Sequence, residues 1–311
     1  MIKKKLLSSL SIVFLLLFTL SFTISCAKNN NTIGSSADTD DSHDSAPPPP
    51  APFDLDEAIE MMGLCLQSYQ MLIDFKSGTE FTLPEPYTLI TQFMSDEKVP
   101  LHEDVPLAYI AKDDNNLYLV FRGTKTIDEW IADADFKLIP YPMGNTNAMS
   151  ERGFTNLYTS MGIIEALNNL DGFDNLYVTG HSLGAALAVV AIPDIIKKTK
   201  YKNPIMYSFA GPRVGDQNFK NLYDGLNIVS WRVFNTNDVV PKLPPTSRSY
   251  VHVNSGEPIT FGKPVRDLFD FKQIAFNHEG CHYYNTLCSM TNDPATCMKK
   301  AGGADGCNVS P

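Results

Sequence analysis

Positive charge is what this chain has too little of. Its 25 lysines and arginines face 35 acidic residues, for a formal net charge of −10 over 311 residues. The first 25 residues hold three lysines and no acid, so the remainder is more acidic still. Such a balance argues against nucleic acid as a partner, and against docking on anionic lipid by charge alone. The six cysteines also lack close C-x-x-C pairs, which weighs against a zinc site. No internal repeat is present, and nothing in the chain implies a metal or a cofactor.

What is there begins with an export signal in form. Lys3, Lys4 and Lys5 precede an almost unbroken apolar run over residues 6–24. The run is also long enough for an uncleaved membrane anchor. The segment Thr23-Ile24-Ser25-Cys26 resembles a bacterial lipoprotein processing site, with Thr23 where leucine is usual. That resemblance implies that residues 1–25 are removed and that Cys26 becomes a lipidated first residue. Residues 26–52 are rich in Asn, Ser, Asp and Pro and hold almost nothing that could form a core, so they read as a disordered tether. A chain of that length reaches roughly 30 Å. His43 within it reads as a solvated residue. Residues 53–311 suffice for one large domain with a substantial core. In an exported chain, Cys281, Cys288, Cys297 and Cys307 read as two disulfides stapling the last segment, with three pairings open. Cys65 lies in an apolar helical pattern and reads as a buried free thiol.

Within the domain, residues 54–74 have helical spacing with Asp54 as cap. Strands are expected over 117–121, 176–179, 205–209 and 228–234, and helices over 161–170, from 183 onward with a kink at Pro193, and over 218–223. Alternating short strands and helices imply an α/β fold with a mostly parallel sheet covered on both faces. Sites on such sheets gather where strands end.

One strand end carries the strongest chemical signal. Residues 176–179 run into Gly180-His181-Ser182-Leu183-Gly184, and a helical stretch follows. A G-x-S-x-G pentapeptide in a strand-to-helix turn lifts the serine hydroxyl clear of the backbone. The flanking glycines relieve the crowding, having no Cβ. A serine so placed needs a histidine to take its proton and a carboxylate to orient that histidine. Asp238 follows the strand Trp231-Arg232-Val233-Phe234 and stands in the right location. Asp216 and Asp224 sit in or beside a helical stretch and read as solvated surface. His278 and His282 compete as base. His252 lies in an alternating segment, Tyr250-Val251-His252, that reads as a strand with a packed histidine.

Several segments together resemble the class 3 lipases, α/β hydrolases that include the triacylglycerol lipases of filamentous fungi. Val120-Phe121-Arg122-Gly123-Thr124 is similar to their oxyanion strand. Residues 126–133 are similar to their lid, residues 180–184 to their nucleophile turn, and residues 209–215 and 232–241 complete the set. His278, Tyr283 and Leu287 match the spacing of the family's final motif in many bacterial members, which favours His278 over His282. Glu151, in Glu151-Arg152-Gly153-Phe154, stands where the family commonly has histidine. The resemblance implies an α/β-hydrolase fold and a serine ester hydrolase working through Ser182, Asp238 and His278. Leu183 and Thr124 would bind the oxyanion. Ile127, Trp130 and Ile131 would form the apolar face of a lid that opens toward a lipid ester at an interface. Phospholipase A1, feruloyl or short-chain esterase activity would suit the same scaffold. The rival from another class is a non-catalytic surface lipoprotein that binds lipid or a host protein.

Overall fold

The computed structural model describes residues 52–94, 104–124, 136–143, 147–254, 256–267 and 270–300. Cys26, Cys307 and the lid residues Ile127, Trp130 and Ile131 lie outside the described residues, as do the signal and almost all of the tether.

Strands β1 (Thr88–Met94), β2 (Pro106–Lys112) and β3 (Asn116–Phe121) open the sheet as an antiparallel meander. From β3 the chain continues in parallel through β6 (Asn175–His181), β7 (Ile205–Phe209), β8 (Ser230–Asn235) and β9 (Gly256–Ile259), giving the order β1-β2-β3-β6-β7-β8-β9. Two short strands, β4 (Leu138–Pro140) and β5 (Met149–Glu151), pair separately. Central strands are apolar on both faces because both faces are covered. In β3, Leu117, Leu119 and Phe121 pack with helix α4 (Leu183–Lys198), while Tyr118 and Val120 pack with helix α1 (Leu55–Ser77). Side chains alternate along a strand, so one short segment serves two cores.

Helix α1 starts at Asp54, whose carboxylate accepts the Glu57 amide, and ends at Gly78 in the left-handed region (φ 72°). Cys65 in its middle is buried and free. Burial pushes its thiol up to about 12. Past the strands, helix α6 (Phe271–His278) stops at an extended Glu279, helix α7 (Gly280–Ser289) restarts at once, and α8 (Pro294–Lys300) follows. A disulfide joins Cys288 of α7 to Cys297 of α8, and Cys281 is also disulfide-bonded. Among the described residues no helix is long and apolar enough to cross a membrane.

Three sequence expectations need correction. The helix expected over 161–170 is shorter, α3 (Ile163–Asn168), because Gly162 turns left-handed (φ 70°) and separates it from an unanticipated helix, α2 (Arg152–Ser160). The segment Tyr250-Val251-His252 is no strand, for Val251 makes only an isolated bridge to Gly215. Asp216 is not solvated surface: half-buried, it accepts the amides of Met149 and Phe219 and caps α5 (Gln217–Asp224). Asp224 is exposed and pairs with Lys220.

Candidate active site

Between β6 and α4 the chain turns on a single residue. Ser182 has φ 61° and ψ −124°, a conformation that strains an L-residue and persists only where the surroundings enforce it. Its amide donates to the Phe209 carbonyl of β7 at 2.9 Å. The approach of strand to helix is too close for side chains. A Cβ at Gly180 would lie 2.3 Å from the Gly184 carbonyl, and one at Gly184 would lie 2.2 Å from the Phe121 carbonyl oxygen. Glycine at both positions is therefore a steric requirement of the turn.

The hydroxyl held at its apex meets an imidazole. Ser182 Oγ is 2.8 Å from Nε2 of His278, whose Nδ1 is 2.8 Å from Oδ2 of Asp238. A carboxylate only accepts, so Nδ1–H donates and the Nε2 lone pair faces the serine hydroxyl. All three side chains are buried, with Asp238 fully excluded from solvent. Asp238 sits in the turn after β8. Its Oδ1 accepts the Val240 amide (2.9 Å) and its Oδ2 accepts the Tyr283 hydroxyl (2.8 Å) as well as the imidazole N–H. Burial first, then the Asp238 charge, hold the Tyr283 phenol well above its ordinary range, so it remains a neutral donor. Tyr283 Oη in turn accepts the Asn235 amide at 2.8 Å.

Acid turn and base helix are clasped together. Asn235 Nδ2 donates to the Asn277 carbonyl, and Asn277 Nδ2 donates to the carbonyls of Asn237 and Lys263. His282 lies elsewhere, its Nδ1 donating to the Phe276 carbonyl on the solvent side of α6. His252 is packed, donating from Nε2 to the Pro241 carbonyl, and burial lowers it to about 3.

Charge on a carbonyl oxygen beside Ser182 would meet two candidate donors. Leu183 is the first residue of α4, so its N–H has no acceptor within the helix. Thr124 follows Gly123, where an added Cβ would lie 3.1 Å from Ser182 Cβ. Among the described residues the Thr124 hydroxyl oxygen is buried without a hydrogen-bond partner, an arrangement that costs stability unless something arrives to use it. Glu151, at the family's histidine position, caps α2 by accepting the Phe154 amide at 2.8 Å.

Sequence reasoning assigned no role to Tyr69, His181, Asn235 or Asn277, and used Tyr283 only as a spacing mark. Asparagine next to a strand end and a tyrosine at fixed spacing from a histidine were the available signals, but neither type names its partner until the fold is known.

Comparison with known proteins agrees with this geometry. The family described as lipase (class 3) matches residues 118–248. A lipase of Rhizomucor miehei is 32% identical over 167 residues, covering 50% of this chain and 46% of that protein. A secreted mono- and diacylglycerol lipase of Penicillium cyclopium is 37% identical over 153 residues, covering 47% and 49%. The chain thus spans about half the length of these curated relatives. The structure of the native Rhizomucor miehei lipase propeptide complex superposes with a TM-score of 0.56 at 26% identity, covering 66% of this chain and 68% of that one. The fold is that of an α/β hydrolase, and residues 118–248 are similar to the class 3 lipases.

Proposed function

We propose that this protein is a serine ester hydrolase acting on lipid esters. The reading rests on the hydrogen-bonded series Ser182, His278, Asp238 at a left-handed serine. Ser182 Oγ attacks the ester carbonyl while its proton passes to His278 Nε2, and Asp238 holds the imidazolium. The carbonyl oxygen takes the negative charge, facing the amides of Leu183 and Thr124 and the Thr124 hydroxyl. Collapse of the tetrahedral species breaks the C–O bond, and the departing alcohol takes the proton from His278. Water, deprotonated by His278, then attacks the acyl-enzyme; the bond from the acyl carbon to Ser182 Oγ breaks, Oγ takes the proton back from His278, and the acid leaves.

Three further parts belong to the proposal. The chain is exported by residues 1–25 and held at a membrane by lipid on Cys26, with residues 26–52 as tether and 53–311 as catalytic domain. A lid bearing Ile127, Trp130 and Ile131 exposes apolar surface when open, which an oily interface favours and water opposes. The substrate is accordingly an aggregated lipid ester.

Ser182→Ala is the direct test. It should lower turnover of p-nitrophenyl butyrate by about a millionfold and abolish fluorophosphonate labelling. Parental activity in that variant would overturn the assignment, and absence of labelling in the parent would favour the non-catalytic lipoprotein. A matched panel of triglycerides, phospholipids and soluble esters separates lipase from phospholipase A1 and simple esterase. Equal activity on dissolved and emulsified ester would remove the lid. Metabolic labelling with a fatty acid, lost in Cys26→Ala, tests the anchor.

A further inference from the structure

The residue before the serine is built into the site in a way the reaction does not explain. His181 ends β6 with 3% of its surface exposed. Its Nε2 lies 2.9 Å from the backbone carbonyl oxygen of His278. A carbonyl only accepts, so Nε2 carries the proton. That fixes the tautomer: Nδ1, 2.8 Å from Tyr69 Oη, is the acceptor and the phenol the donor. Burial pushes the Tyr69 phenol up, which keeps it a donor.

The carbonyl so held is a special one. His278 is the last residue of α6, whose final carbonyls have no donor within the helix. The next residue, Glu279, is extended, so the backbone changes direction at the base itself. The same phenol also touches the strand leading to Thr124. A Cβ at Gly123 would lie 2.1 Å from Tyr69 Oη and 2.9 Å from the His181 carbonyl oxygen. One hydroxyl from α1 therefore touches both the segment leading to Thr124 and the histidine that grips the His278 carbonyl.

Resting on the hydrolase reading above, we propose that Tyr69 and His181 form a positioning strut that sets the backbone of His278 relative to Ser182. The covalent neighbour of the nucleophile grips the main chain of the base, so the 2.8 Å Ser182–His278 contact is fixed from both ends. His181 suits this work because it stays neutral. Burial first, then the nearby His278, push its pKa well below the ordinary histidine value. The two rings have centroids 4.9 Å apart, and a neutral His181 places no second positive charge beside His278.

The test uses the full chain with three variants. His181→Leu removes donor and acceptor. His181→Gln keeps an N–H at the Nε2 position. Tyr69→Phe removes one oxygen. On dissolved p-nitrophenyl butyrate, His181→Leu should lower kcat about 100-fold at unchanged KM, the size of effect that follows a 1 Å misplacement. His181→Gln should recover most of that loss, and Tyr69→Phe should fall between parent and His181→Leu. In NMR spectra the low-field Nδ1 proton of His278 should persist in the parent and His181→Gln and broaden in His181→Leu. The His181 Nδ1 nitrogen should shift in Tyr69→Phe. Parental kcat in folded His181→Leu, equal losses in Leu and Gln variants, or losses tracking only the unfolded fraction by circular dichroism would overturn the strut. A Tyr69→Phe protein unchanged in both kcat and the Nδ1 resonance would remove Tyr69 from it. If the parent hydrolyses no ester, the hydrolase reading fails while the NMR arms still decide the strut.

Discussion

At the scale of single residues, Tyr283 and Thr124 carry the sharpest expectations. The Tyr283 hydroxyl donates to the Asp238 carboxylate, which also accepts the His278 Nδ1–H, while accepting the Asn235 amide. A hydrogen bond to a charged group contributes about 1.5–3 kcal/mol, so Tyr283→Phe should lower kcat about 10-fold to 100-fold, measured on a soluble ester. It should also lower Tm, since the Asn235 amide loses its acceptor. Thr124 presents a buried hydroxyl with nothing in the described residues to bond. If that oxygen meets the oxyanion, Thr124→Val lowers kcat about 100-fold at constant KM. An unaffected kcat would leave oxyanion binding to amides alone. Ser182, Asp238 and His278 were legible as candidates from a motif, a place after a strand and a resembling spacing, because nucleophilic catalysis restricts residue types severely. The residues that aim them were not, because Tyr69 reaches His181 across 112 positions, and no local pattern encodes such a contact.

Among the elements, legibility followed the source of each one's stability. Helix α1 declares itself through its cap at Asp54 and an apolar periodicity. Strand β6 and helix α4 declare themselves through the glycines their junction requires. Strand β2 gives no alternation to read, being buried at six of its seven positions, and its partner β1 is partly exposed and irregular in register. Helix α2 depends on Glu151 as a cap, a residue that the sequence marked only as standing in place of a histidine. The link between α7 and α8 is covalent, closing a loop of sequence separation 9. Replacing Cys288 and Cys297 together by alanine should cost about 2–3 kcal/mol by urea denaturation. Because the hydrogen bonds that join Ser182, His278 and Asp238 involve neither cysteine, kcat below the melting range should stay at the parental value. A fall in kcat without a fall in stability would mean that α7 needs the link to hold Tyr283 in register.

For the molecule as a whole, a mostly parallel sheet covered on both faces was implied by alternation of strands and helices, whereas its strand order, its antiparallel opening and the clasp between Asn235 and Asn277 emerge only from packing. Titration of buried groups shapes its pH range. His252 is lowered from 6.5 to about 3, and His181 is lowered as well. Between those values the unfolded chain binds protons that the folded one refuses, so stability falls as pH drops from 6.5 toward 3. His252→Gln should flatten that slope by at most about 1.4 kcal/mol per pH unit, read from urea midpoints. On the alkaline side Cys65, raised from 9.0 to about 12, loses its proton first in the unfolded chain, so stability declines as pH climbs from 9 toward 12. A thiol reagent at pH 8 should consequently leave Cys65 untouched until the protein is unfolded.

Helix α6 also dictates timing. Ser182 is synthesised nearly a hundred residues before His278, so the hydrogen bond between them can form only once the chain through α6 has been made. A growing polypeptide that has not yet released its closing helices holds an inert alcohol. On the hydrolase reading, any lipid ester beside the nascent chain would stay intact until those helices have folded.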